Sequence, residues 1–216
     1  MLKIENTDVF GWESAIRGMR NPLNSWKFMD SRFERGGENG TQLLFTFGEN
    51  DLRLAQNLAN AGNDHGKFLR MVDVTMDITA PLYWWKEFDT YKVGTVANSC
   101  STMHKIQAKR FTPDDFSVEH LSEKSLAALN AVLDVMNEER RAFLDTKDKD
   151  CWWQMIQLLP TSYNQKRTVQ LNYAVLRNQY ASRKNHKLDE WHTYCDWIQT
   201  LPYAAELITT IRGDVQ

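Results

Sequence analysis

Residues 72–106 read VDVTMDITAPLYWWKEFDTYKVGTVANSCSTMHKI, and the fold turns on how this stretch is divided. Val72, Val74, Met76 and Ile78 alternate with Asp73, Thr75, Asp77 and Thr79. Successive side chains of a strand point to opposite faces, so this spacing predicts a strand over 72–79 with one face buried. Pro81 breaks the pattern, because it lacks an N–H for the ladder yet suits the first turn of a helix. A helix is therefore expected over about 82–91, presenting Lys86, Glu87 and Tyr91 within one or two turns of each other. After Lys92 neither period 2 nor period 3.6 survives. Hydroxyl, amide, thiol and imidazole groups crowd there, and such groups need partners if buried. With Trp84 and Trp85 beside it, the segment reads as a ligand site more than as core.

Outward from this stretch the elements alternate in type. Residues 1–48 look mixed and strand-containing, with GGENGT at 36–41 as a turn between Phe33 and Leu43-Leu44-Phe45, hence a hairpin. Leu52, Leu54, Ala55, Leu58 and Ala59 give a helical stripe from Asn50, with Gly62 as its C-cap and 63–66 as a polar loop. Further on, Leu126, Leu129, Leu133, Met136, Arg140 and Phe143 predict a long amphipathic helix behind the N-cap Ser122. A shorter apolar segment, 151–159, stops at Pro160, and TSYNQKRT leads into a helix expected from about Val169 to Ser182. Leu188, Trp191, Cys195 and Ile198 form one stripe of a last helix ending near Pro202. No repeat or low-complexity tract offers a linker. The expectation is an α+β fold over residues 1–216, a single domain with an antiparallel or mixed sheet packed against several long helices.

Bulk properties remove several classes. Hydrophobic residues make up 42% and charged residues 25%, with a formal charge of −2, so any polyanion must be met by a local cluster. The three cysteines, Cys100, Cys151 and Cys195, are odd in number and lack C-x-x-C, which argues against a disulfide framework or zinc site and fits a reducing cytoplasm. The N-terminus lacks a signal-peptide core, and no apolar stretch reaches the ~18 residues of a membrane span, so neither secretion nor a membrane partner is expected. Nucleotide-binding loops, hydrolase elbows and zincin motifs are all absent from the sequence. The histidines sit on separate segments without ligand spacing. Cys100, flanked by Ser99 and Ser101, is either a nucleophile or an inert thiol, since no base can be assigned to it. Lys105, Lys109, Arg110, Arg177 and Arg183 are either phosphate contacts or solvated charge. The eight tryptophans favour aromatic packing or stacking surfaces, and beside those cations they keep a single-strand nucleic-acid module open as a rival.

Two segments together resemble the flavin-dependent thymidylate synthases. In that family a strand ends in a Pro-containing turn, followed by a helix bearing R-H-R and a loop of the form S-x-N-E-x-S-x-R. Here the strand, Ala80-Pro81 and the following segment share that layout. The family then has L-P ahead of an Asn that starts a helix, an Arg eleven residues later and an acidic helix. This chain has Leu159-Pro160, Asn172, Arg183 and Glu190 in the same order, so the resemblance covers most of residues 65–202. Departures are concentrated in the first segment. Laid without a gap, R-H-R falls on Thr90-Tyr91-Lys92, and the loop's N-E, Ser and Arg fall on Ala97-Asn98, Cys100 and Thr102. A one-residue slip gives Asn98-Ser99, Ser101 and Met103. Neither register keeps the Glu or Arg, and the family's Arg two residues after Asn172 is Ala174.

The resemblance implies an α+β homotetramer that methylates dUMP to dTMP with FAD as cofactor and NADPH and methylenetetrahydrofolate as co-substrates. It implies Ser101 and Arg183 as catalytic residues, and Tyr91, Lys92, Asn98 and Asn172 as cofactor contacts. Lys86, Ser101, His104 and Arg183 would bind the nucleotide, and no metal is called for. Cofactor chemistry of this kind asks the protein for cations, ring contacts and orientation, with no protein nucleophile. The loss of charged motif positions also keeps open a catalytically silent homologue that retains nucleotide or flavin binding.

Overall fold

The computed structural model describes residues 1–36 and 42–210. Its elements run β1 (Lys3–Phe10), α1 (Trp12–Arg20), β2 (Arg32–Gly36), β3 (Gln42–Thr46), α2 (Glu49–Asn60), β4 (Asp73–Pro81), α3 (Leu82–Phe88), β5 (Val96–Ser99) and α4 (Thr102–Lys105). They continue with α5 (Glu123–Thr146), α6 (Lys149–Leu158), β6 (Asn164–Asn172), α7 (Tyr173–Arg183) and α8 (Asp189–Gln199). Four strands form one sheet in the order β1-β4-β6-β5, and β2 pairs antiparallel with β3. The fold class is α+β, as expected, with sheet packed against helices. The turn expected at 36–41 lies, beyond Gly36, outside the described residues.

The strand that anchors the sequence reading forms as β4. Val72, Val74, Met76, Ile78 and Ala80 are at most 1% exposed, while the intervening residues are half-exposed. Pro81 ends it as the N-cap of α3. The helix is shorter than expected, closing at Phe88, so Tyr91 lies beyond it. Thr90 accounts for the stop, since its N–H (3.1 Å) and its hydroxyl (2.7 Å) both donate to the Glu87 carbonyl. A larger correction concerns 164–172, where an approach through Thr168 and a helix from about Val169 were expected: the whole stretch is the strand β6, and the helix starts only at Tyr173. Its polar residues are paired across the surface, so polarity does not prevent a strand there.

The chain folds as two compact units. The first holds Met1–Asn6, Met76–Thr90 and Ala97–Val169. In it Trp84 and Trp85 are core residues, 0% and 1% exposed, which corrects their reading as site residues. Their ring centroids lie 5.0 Å apart in an edge-on contact. The Trp85 indole N–H donates to the Gln165 carbonyl at 3.0 Å, and the Arg167 guanidinium lies 4.1 Å over the same ring. Arg167 also donates to Asp89 (2.8 Å) and to Gln165 Oε1 (3.0 Å). This fixes α3 against β6 through polar groups that each find a partner. A second apolar cluster joins Ile106, Phe111 and Phe116 to Leu129, Leu133 and Met136 of α5 and Met155 of α6. Ser122 caps α5 as the sequence indicates, accepting from the Ser125 N–H at 3.2 Å.

The second unit holds Thr7–Thr75, Tyr91–Val96 and the chain from Gln170 onward. Trp12 centres an aromatic group, stacked on Phe45 at 4.8 Å and edge-on to Tyr173 at 5.1 Å. Beside it lies a buried ion pair. Arg20 Nε donates to Asp51 Oδ1 at 2.8 Å, and the Ser31 hydroxyl (2.7 Å) and the Asp30 (3.0 Å) and Ser31 (2.9 Å) backbone N–H groups satisfy Asp51 Oδ2. Burial raises the Asp51 pKa, but the hydrogen bonds from Ser31, Asp30 and Arg20 outweigh it and hold the carboxyl below its ordinary value.

Asp51→Ala leaves Arg20 buried and uncompensated, so a stability loss of about 3–5 kcal/mol is expected in urea unfolding. A loss below about 1 kcal/mol would show that the pair is replaceable. Asp77, in the first unit, accepts from Thr168 (2.7 Å) and Asn6 (2.9 Å) and pairs with Lys166 (3.0 Å), and these hold its pKa at about 2 against an ordinary 3.8. A depressed carboxylate stabilises above its unfolded pKa and loses that contribution as the pH falls through the folded one. The Tm gap between the parent and Asp77→Asn should therefore be full near neutrality and close between about pH 4 and pH 2. A gap independent of pH would contradict this.

Candidate functional site

Residues proposed from sequence fall on both units. In the first, Lys86 is exposed on α3 and Asn98 is exposed on β5. Ser101 caps the short α4, its hydroxyl accepting the His104 N–H at 3.0 Å, and both residues are solvent-facing. Cys100 is exposed too; its backbone is held on both sides, its N–H donating to Lys166 O (2.9 Å) and its carbonyl accepting from Gln165 Nε2 (2.8 Å). Of the cations beyond α4, Lys109 is paired with Asp115.

In the second unit, Arg183 and Tyr91 come together. Arg183 closes α7, where a cation offsets the partial negative charge of the helix end. Its Nε donates to the Tyr91 hydroxyl at 2.9 Å. The guanidinium lies 4.8 Å over the ring of Trp191, which is fully buried on α8, and 5.6 Å over the ring of Tyr91. The two rings meet edge-on at 6.2 Å. A guanidinium in contact with two rings and a phenol oxygen has little freedom to swing. Lys92, next to Tyr91, is exposed.

Asn172 does what its place before a helix demands, its Oδ1 accepting the Val175 N–H at 3.1 Å as the N-cap of α7. Its amide nitrogen faces Gly94, where an added Cβ would sit 3.0 Å from Asn172 Nδ2 and 3.2 Å from Val175 Cγ2. Gly94 also has φ +79°. The segment that carries Tyr91 therefore passes the start of α7 at a residue that only glycine fills without strain.

Two cavities in the same unit escaped sequence reasoning. One, of about 810 Å³, is mostly apolar, with Met19, Leu23, Leu58, Phe68 and Met71 in its wall; Lys67 and Arg70 bring positive charge, and Asp64 a negative one. The other, of about 240 Å³, is lined by Asn60, Arg70, Ala174 and Arg177, so Arg70 belongs to both. Arg177 is committed within its wall, donating to Leu207 O (2.7 Å) and Asn60 Oδ1 (2.8 Å). A third cavity, about 850 Å³ beside β1 and Trp197, has Asp8 as its one charged lining residue and is a poor match for an anion. The available signal for the first was Lys67 and Arg70 bracketing the buried Phe68-Leu69 in the 3-10 turn Gly66–Met71. Among the described residues no cluster of His, Cys, Asp and Glu is placed to hold a metal ion. None of their helices is long and apolar enough to cross a membrane.

No protein-family model and no curated protein matches the sequence. Solved structures match over nearly the whole chain. Flavin-dependent thymidylate synthase ThyX from Helicobacter pylori, with FAD and dUMP, has a TM-score of 0.68 at 16% identity over 96% of this chain and 97% of its own. The UMP/dUMP methylase PolB from Streptomyces cacaoi, bound with 5-Br dUMP, has a TM-score of 0.63 at 14% identity over 98% of this chain and 96% of its own. The chain has the flavin-dependent thymidylate synthase fold. At these identities the likeness speaks for the backbone alone.

Gly94→Ala should cost more stability than Gly62→Ala. Both positions have positive φ, a strain of roughly 1–2 kcal/mol for a residue with Cβ, but Gly62 has nothing within 4 Å of the added carbon. Equal shifts of the two urea midpoints would show that the passage past α7 is loose.

Proposed function

We propose that this protein is a flavin-dependent methylase of a uridine nucleotide, converting dUMP to dTMP, with residues 1–216 acting as one domain. Arg183 carries the reading. It is a half-buried guanidinium held by aromatic rings in a fold whose solved examples include enzymes with dUMP or a brominated analogue bound. Arginine presents a planar fork that suits phosphate oxygens, and holding it in advance lowers the ordering cost of binding.

The residues present fit a flavin dinucleotide. An apolar cavity of about 810 Å³ suits a ring system, and Arg70, shared with the smaller polar cavity, puts a cation where a pyrophosphate would need one. Lys92 and Asn172 remain proposed cofactor contacts, with Asn172 limited to its amide nitrogen because its oxygen caps α7. FAD, when bound, supplies the redox chemistry of the methyl transfer, with NADPH and methylenetetrahydrofolate as co-substrates. The chain's own task is to bind and orient. Arg183 neutralises the nucleotide phosphate. A cytoplasmic homotetramer completes the proposal.

A silent homologue that binds without turnover is the second reading, favoured by the absence of R-H-R and of the loop Glu and Arg. The test separates the two. Freshly purified protein should be yellow with flavin absorbance, and should release deuterium from 5-deuterated dUMP. Flavin and dUMP binding without release would support the silent homologue; a colourless protein that ignores both ligands would overturn each reading. Arg183→Ala should weaken dUMP binding by about 1–3 kcal/mol with the fold intact by circular dichroism. Equal affinity in calorimetric titration would take Arg183 out of the site.

A further inference from the structure

The Tyr91 hydroxyl accepts the Nε–H of Arg183, so its own proton must point elsewhere. Among the described residues nothing accepts that proton, although the ring is half-buried against Trp191 and the guanidinium. A phenol that accepts from a cation is polarised and becomes a stronger donor. The Nε contact also fixes the turn of the guanidinium about its Cδ–Nε axis, while Trp191 fixes its plane. Three residues after Tyr91 the chain passes close to the start of α7 at Gly94, where an added Cβ would meet Asn172 and Val175.

We infer that Tyr91 is a positioning residue for Arg183, and that the two form one receptor for the phosphate of the nucleotide: Tyr91 orients the guanidinium through Nε and donates its own O–H to a phosphate oxygen. This rests on the nucleotide reading above. It assigns Tyr91 to the phosphate, where the family pattern had pointed to the flavin, and it supplies a reason for a tyrosine in a place that carries an imidazole in the resembled sequences. A ring alone would fill the space against Trp191; the hydroxyl is what the receptor adds.

Tyr91→Phe keeps the ring and removes only that oxygen. In calorimetric titration of the full chain, dUMP should bind about tenfold more weakly, as for loss of a charge-assisted hydrogen bond, while deoxyuridine, which has no phosphate, should bind as it does to the parent. The doubly substituted Tyr91→Phe/Arg183→Ala protein should lose clearly less than the sum of the two single losses, because part of what Tyr91 contributes passes through the guanidinium. Arg183→Lys, which keeps charge but has no Nε donor, should lose most of the same preference for dUMP over deoxyuridine and provides the reading if Tyr91→Phe melts early. A parent that binds dUMP while Tyr91→Phe binds it equally, or losses that simply add in the double variant, would overturn the inference and leave the nucleotide reading standing. A parent that does not bind dUMP would overturn both.

Discussion

A strand with one face almost wholly out of water cannot slip by a residue, and β4 is such a strand. A shift of one would turn Val72, Val74, Met76, Ile78 and Ala80 outward and bring Asp73, Thr75, Asp77 and Thr79 into the core. The cost would be several buried aliphatic side chains at about 1.5–3 kcal/mol each, besides the buried carboxylates. With the register fixed, the place of Pro81 is fixed, and so is the start of α3. Trp84, Trp85 and Phe88 then fall inward, and the chain leaves the helix at Thr90 with Tyr91 next in line. One hydrophobic alternation thus determines where Tyr91 emerges.

The parts of this fold that were legible in sequence are those where one periodicity dominates. The alternation of β4, the Ser122 cap with its apolar stripe along α5, and the Trp191-Cys195-Ile198 face of α8 are all visible in the order of residues. Asn172 was marked as a helix start only by the family resemblance, the apolar pattern having put the start near Val169; its side chain caps the Val175 N–H. β6 was not, since Lys166 and Thr168 are paired with Asp77 and Arg167 with Asp89; the strand wears a polar face that only tertiary structure explains. β5 was hidden for a different reason, all four of its residues being exposed, so it has no buried face to give a period.

The candidate site divides along the same line. Arg183 was legible through spacing, and its partnership with Tyr91 is a consequence of geometry that spacing does not encode. Trp84 and Trp85 misled because a tryptophan pair in a polar neighbourhood serves a core as well as a ligand, and the indole of Trp85 finds its partner in the Gln165 carbonyl. The cations Lys67 and Arg70 were overlooked because they come together only in a cavity wall. A net charge of −2 conceals such local clusters.

β5 closes the sheet order on one side, bonded to β6 alone among the described strands. Its outer row of amides and carbonyls is a template on which another extended chain could align, and Val96 beside it is 68% exposed. What limits that hazard is brevity. Four residues offer too few rungs for a stray ladder to hold, and Asn98 and Ser99 keep the strip hydrated. Lengthening this edge by apolar substitutions at Asn98 or Ser99 would trade solubility for adhesion between copies.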